Sequence, residues 1–128
     1  MDIEKIREHC LAKPHVSEGF PFNDDTLVFK VMNKIFALCN LKGDLRVNLK
    51  NQPEKVSRLR DQYSCVQPGY HMNKNHWNTV IIDNSVPDRQ ILEWIDESYL
   101  SVVKGLPKKV KEKLPQTIQQ KFNQNTTL

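Results

Sequence analysis

The stretch Thr26-Leu27-Val28-Phe29-Lys30-Val31-Met32-Asn33-Lys34-Ile35-Phe36-Ala37-Leu38, continued after Lys42-Gly43 by Leu45-Arg46-Val47-Asn48-Leu49-Lys50, decides the fold. Its apolar runs are rich in β-branched and aromatic residues, which suit a pleated, half-buried surface. Asn33-Lys34 and Lys42-Gly43 leave room only for tight connections, so the runs predict an antiparallel meander with two hairpin turns. In the last run Leu45, Val47 and Leu49 point one way and Arg46, Asn48 and Lys50 the other, so one sheet face meets a core and the other meets water.

Toward the amino terminus, Asn23-Asp24-Asp25 supplies turn chemistry, and Phe20-Pro21-Phe22 before it predicts a strand joined tightly to Thr26-Val31. Asp24-Asp25 could serve a cation or a reaction, but between two strands the pair reads as a side-chain-capped turn. Ile3, Ile6, Cys10 and Leu11 recur at helical spacing, with Asp2 able to cap the start and Pro14 to stop the pattern, which predicts a helix over residues 2–13. Toward the carboxyl terminus, Pro53 suits the first turn of a second helix with Val56, Leu59 and Tyr63 as its buried stripe and Arg58 and Arg60 off it. A Pro-Gly turn at residues 68 and 69, a strand over Thr79-Val80-Ile81-Ile82 and a turn at Asp83-Asn84-Ser85 follow. Pro87-Asp88 opens the longest helix, whose stripe of Leu92, Ile95, Tyr99, Val102 and Leu106 must cover a sheet. The class is therefore α+β, an antiparallel sheet packed against helices as a two-layer sandwich. Residues 1–114 are expected to form one domain, and 115–128 a polar tail supplying little apolar area.

The 128-residue chain is long enough to bury a core without disulfides or metal. It holds no apolar run near the roughly 18 residues of a membrane span. Its start, Met1-Asp2-Ile3-Glu4-Lys5, lacks the basic and apolar segments of a secretory signal, so the expected location is the cytoplasm. Cys10, Cys39 and Cys65 are odd in number and widely spaced, which predicts reduced thiols rather than a disulfide framework or structural zinc. The net charge of +4 is uneven: residues 42–78 carry seven Lys/Arg against three Asp/Glu, 79–103 one against five, and 104–128 six against one. Such asymmetry attracts an anionic partner, although a solvated surface with a lysine-rich tail has the same composition.

The densest cluster of special residues is Tyr70-His71-Met72-Asn73-Lys74-Asn75-His76-Trp77-Asn78. Two His five residues apart without a neighbouring Cys or carboxylate make a poor metal site, and no nucleophile or positioned carboxylate accompanies them for catalysis. Neither a catalytic residue nor a cofactor is expected. As a contact surface the segment offers Asn, Lys and His donors with flat aromatic faces, while Trp77 and Tyr70 could equally be core anchors at strand ends.

Phe20-Pro21-Phe22-Asn23-Asp24-Asp25-Thr26-Leu27-Val28-Phe29-Lys30-Val31, Val47-Asn48-Leu49-Lys50, Pro68-Gly69-Tyr70-His71-Met72-Asn73-Lys74, His76-Trp77-Asn78-Thr79-Val80, Ser85-Val86-Pro87-Asp88, Ile95-Asp96-Glu97-Ser98-Tyr99 and Leu106-Pro107-Lys108-Lys109 resemble, in that order, the MmcQ/YjbR family of small bacterial proteins. Asn23 stands where that family usually has Gly, a departure that touches only the shape of the turn. The resemblance implies an antiparallel sheet backed by helices, likened to frataxin-type and secretion-chaperone-type folds and described as a double-wing DNA-binding structure. It transfers no catalytic residue set, and shape is a weak warrant for activity.

Two functions follow as expectations. The first is DNA binding by a monomer, with Arg46, Lys50, Lys74, Lys108 and Lys109 on phosphates while a hairpin turn, bearing Lys34 or Lys42, enters a groove, and with Tyr70, His71, Asn73, His76 and Asn78 as further contacts from the signature segment; it requires a continuous basic face and steep salt dependence. The second is an adaptor for a protein or small ligand, which requires an exposed apolar patch and weaker salt dependence.

Overall fold

A computed structural model describes residues 1–115 and Ile118. Helix α1 (Ile3–Leu11) starts where Asp2 accepts a hydrogen bond from the Lys5 amide at 2.9 Å, and it buries Ile6 and Cys10. There follow β1 (Val16–Gly19), β2 (Thr26–Val31), β3 (Lys34–Asn40), β4 (Arg46–Lys50), α2 (Pro53–Gln62), β5 (Val66–Pro68), β6 (Trp77–Ile81), α3 (Asp88–Lys104) and the short α4 (Lys108–Lys111). The strands form one antiparallel sheet in the order β1-β2-β3-β4-β6-β5. All the packing helices lie on one face of it: α3 crosses β2, β3 and β4, α1 lies against β1 and α3, and α2 covers β5 and β6. The fold is thus the expected α+β sandwich. Among the described residues no helix is long and apolar enough to cross a membrane.

Three local expectations are corrected. The first strand is Val16–Gly19 rather than Phe20-Pro21-Phe22, which forms a loop with Phe20 and Phe22 exposed. Pro21 has no amide to give a sheet ladder, and His15, at φ 59°, turns the chain out of α1 early enough for Val16 to pair with Val31. The meander accounts for only four strands. After β4 the chain crosses through α2 to the far edge, makes the three-residue strand β5, and returns as β6 against β4. Tyr63 follows α2 in extended conformation instead of belonging to its stripe, and its ring meets Trp94 edge-on at 5.0 Å.

The core between sheet and helices contains Leu27, Phe29 and Val31 of β2, Ala37 and Cys39 of β3, Val47 and Leu49 of β4, and a wide α3 face that includes Ile91, Trp94 and Ser98 besides Ile95, Tyr99 and Val102. Ser98 is polar and fully buried for a specific reason. Between β2 and β3 the register slips, with Phe29 opposite Ala37 but Lys30 opposite Ile35, so Phe36 is an extra residue. The β3–β4 ladder ends at this bulge, and the Ser98 hydroxyl bridges the opening by accepting from the Lys50 amide at 2.8 Å and donating to the Phe36 carbonyl at 2.6 Å. The bulged Phe36 ring packs edge-on against Tyr99, whose hydroxyl donates to the Pro14 carbonyl at 2.8 Å. Burial pushes the Tyr99 phenol up to about 12, the Cys10 thiol up to about 12, and the Cys39 thiol higher still. Leu114 is buried and Ile118 packs against the core; the rest of the expected tail beyond Pro115 lies outside the described residues.

Candidate functional site

The outer sheet face, opposite the helices, has its own pattern. Val28, Leu38, Asn48 and Thr79 stand in one row across β2, β3, β4 and β6, and Thr26, Asn40, Arg46 and Ile81 in the next. Val28, Leu38 and Trp77 form a small buried cluster, flanked by Ile35 and by Met72 from the loop between β5 and β6. Trp77 is therefore a buried anchor of this outer face.

That loop is fastened to the sheet by polar groups that hydropathy does not reveal. Thr79 Oγ1 accepts from the Tyr70 amide at 2.9 Å and donates to Asn48 Oδ1 at 2.5 Å, while Asn48 Nδ2 donates to the Tyr70 carbonyl at 3.2 Å. Gly69 is required for its close approach: a Cβ there would lie 2.8 Å from both the Cβ and the carbonyl oxygen of Trp77. From α2, Arg60 donates to the carbonyls of Lys74 and Trp77 and to Asn78 Oδ1. Asn78 is correspondingly buried, its Nδ2 donating to the Val56 carbonyl at 3.1 Å. It is removed from the contact surface, because β6 turns it under α2. Lys74 Nζ donates to the Gly69 carbonyl at 3.1 Å, and the Asn73 carbonyl accepts from the amides of His76 and Trp77. Asn73, Lys74 and half-buried His76 thus shape the loop itself.

Two rings remain for a ligand. Tyr70 is 68% exposed, and its ring lies 4.0 Å from that of His71, a non-glycine residue held at φ 59°. Such backbone strain persists only where the surroundings enforce it, and it gathers at binding sites. Tyr70, His71 and Met72 overhang a groove of about 790 Å³ whose floor includes Ile35 and Leu38. Lys42 and Arg46 border it, and the opposite rim is the β1–β2 loop with Phe22 and Asp25. Phe22, 63% exposed, is a groove-lining residue that sequence reasoning missed. Its signal was present: the proline beside it excludes a paired central strand.

The expected site residues therefore separate. Lys42, Arg46, Tyr70 and His71 come together at the groove. Lys50 stands farther along the same face, opposite Trp77. Lys34 is exposed beside the β2–β3 turn, which closes the opposite end of the seven-residue strand β3 from Lys42. Lys108 and Lys109 lie on α4, after which the Lys113 carbonyl meets His15 Nε2 at 3.1 Å at the start of β1. The two hairpin turns do not act side by side, since successive turns of an antiparallel meander fall at opposite ends of the shared strand.

Charge differs between the outer sheet face and α3. The outward strand positions carry Lys30, Arg46 and Lys50 and, among the described residues, no carboxylate. Helix α3 alone carries Asp88, Glu93, Asp96 and Glu97. Several of these acids are used in packing: Lys55 Nζ lies 2.6 Å from Glu97, and Asp96 meets Lys13 and, at 2.6 Å, His9 Nε2. Burial pushes the Asp96 carboxyl up, but hydrogen bonds from Lys13 and His9 outweigh it and hold the group below the usual carboxylate range. Among the described residues no three His, Cys, Asp or Glu side chains gather as a metal site.

A family model described as YjbR matches residues 11–101. Escherichia coli K12 protein YjbR is 36% identical over 117 residues, spanning 91% of this chain and 99% of that protein. The crystal structure of the Deinococcus radiodurans protein DR2400 aligns with a TM-score of 0.82 at 41% identity, covering 88% of each chain. A Pseudomonas syringae protein of known crystal structure aligns with a TM-score of 0.67 at 27% identity over 77% of this chain and 96% of its own. With the family model, a near-full-length relative and the tertiary fold in agreement, the chain belongs to the YjbR family.

Proposed function

We propose that this protein is a non-catalytic, cytoplasmic DNA-binding module that contacts its ligand with the outer face of the sheet around the Tyr70-His71 groove. The observation that carries this reading is the basic outer sheet face: Lys30, Arg46 and Lys50 project from strand positions among which the described residues place no carboxylate, and Lys42 joins them at the groove, whose rim holds one acid, Asp25. A polyanion approaching this face releases counterions from its phosphates and stays clear of the carboxylates of α3 on the other side of the sheet. Lys34, Lys108 and Lys109 lie away from the groove and contribute through the general field.

Fluorescence anisotropy of labelled DNA across a salt series tests the proposal. Affinity should fall steeply with salt, and Arg46→Ala should reduce the slope by about one phosphate contact. Absence of salt-sensitive binding at tens of micromolar, within the ordinary range of non-specific affinity, would refute it. The alternative of a protein or small-ligand adaptor draws on one observation, the apolar groove lining of Ile35, Leu38 and Met72. It predicts binding with weaker salt dependence.

A further inference from the structure

We infer that the groove receives an unpaired base, so that the preferred ligand is single-stranded DNA rather than a duplex; this inference rests on the DNA-binding reading above. A phosphodiester backbone has nothing to place against Ile35, Leu38 and Met72, whereas the flat face of a base covers such an apolar lining. Two exposed aromatic side chains, Phe22 and Tyr70, stand on opposite rims of the groove, carried by loops from different parts of the chain. The Tyr70 backbone is held at both its amide and its carbonyl by Thr79 and Asn48, so little ordering is needed when a base stacks on its ring. Lys42 and Arg46 flank the same opening, where the phosphates on either side of the inserted base would lie.

Base-paired DNA meets this geometry poorly. Its base faces are stacked inside the duplex, and reaching base edges in a groove takes a protruding helix or ribbon. The two hairpin turns that could act as such ribbons close opposite ends of β3, roughly 20 Å apart for a strand of that length. A groove of about 790 Å³ also lies within the range of about 300–1,000 Å³ typical of sites that enclose compact organic ligands.

The test compares the full chain against one oligonucleotide in three forms: single-stranded, annealed to its complement, and single-stranded with abasic positions. Single-stranded DNA should bind most tightly, and the abasic strand should lose affinity roughly 5- to 150-fold while keeping its salt slope, because stacking is lost and phosphates are not. Phe22→Ala and Tyr70→Ala should each produce a loss in that range on the intact strand, little on the abasic strand, and no change in thermal midpoint, since both side chains are exposed. Arg46→Ala should instead lower the salt slope on both strands. Equal affinity for duplex and single strand, or for intact and abasic strands, would overturn the inference and leave DNA binding standing. Absence of salt-sensitive binding to all three forms would overturn DNA binding itself.

Discussion

Replacing Ser98 with Ala tests whether the outer face depends on a single hydroxyl in the core. Ser98 Oγ accepts from the Lys50 amide and donates to the Phe36 carbonyl, filling the place where the β3–β4 ladder opens at the bulge. Ala at position 98 would leave a backbone donor and a backbone acceptor without this partner beneath a fully buried helix face. Each buried group left unsatisfied costs about 1–3 kcal/mol, and the strands can relax partly toward one another, so the expected loss is about 2–4 kcal/mol. That is a large share of the roughly 5–15 kcal/mol of a small domain, equivalent to a fall of about 8–16 °C in melting midpoint. Urea and thermal denaturation followed by far-UV circular dichroism measure it. Ser101→Ala on the same helix, at a half-buried position, serves as the control and should change stability by less than about 0.5 kcal/mol. A Ser98→Ala protein within about 0.5 kcal/mol of the parent would refute the reasoning, because the two backbone groups would then have satisfied each other directly. The bulge also sets which β3 side chains face outward. A destabilised Ser98→Ala protein that still folds should therefore bind less tightly at the groove.

Asp25 is the carboxylate on the groove rim, so Asp25→Asn should strengthen binding of an anionic ligand at low salt and weaken that of a cationic one, as read by anisotropy. Gly69→Ala would force a Cβ to within 2.8 Å of Trp77 and should cost about 1–3 kcal/mol by denaturation, with the groove loop displaced. Alkaline titration should unfold the protein, because Tyr99 and Cys10 have folded pKa values of about 12, raised by burial above ordinary values of 10 and 9. The stabilisation associated with both groups is complete below pH 9 and is lost as pH rises toward 12, which a series of urea midpoints against pH would trace.

The α+β class, the position of the hairpins β2–β3 and β3–β4, and the alternation that sends Val47 and Leu49 inward and Arg46 and Asn48 outward were legible in the chain, because those features depend on neighbours within one strand or turn. The resemblance carried by residues such as Pro68-Gly69-Tyr70-His71 identified the family, which the comparisons established. The candidate groove became visible only in three dimensions. Sequence order does not disclose that β6 inserts beside β4, and only this pairing brings Thr79 next to Asn48, where the two side chains hold the Tyr70 backbone at the groove. Phe22 and Tyr70 share a groove across a separation of 48 positions, and Asn78 is withdrawn from it by a hydrogen bond to α2. Such contacts depend on register and strand order, which are set by packing of the whole sheet and leave no periodic trace in the chain.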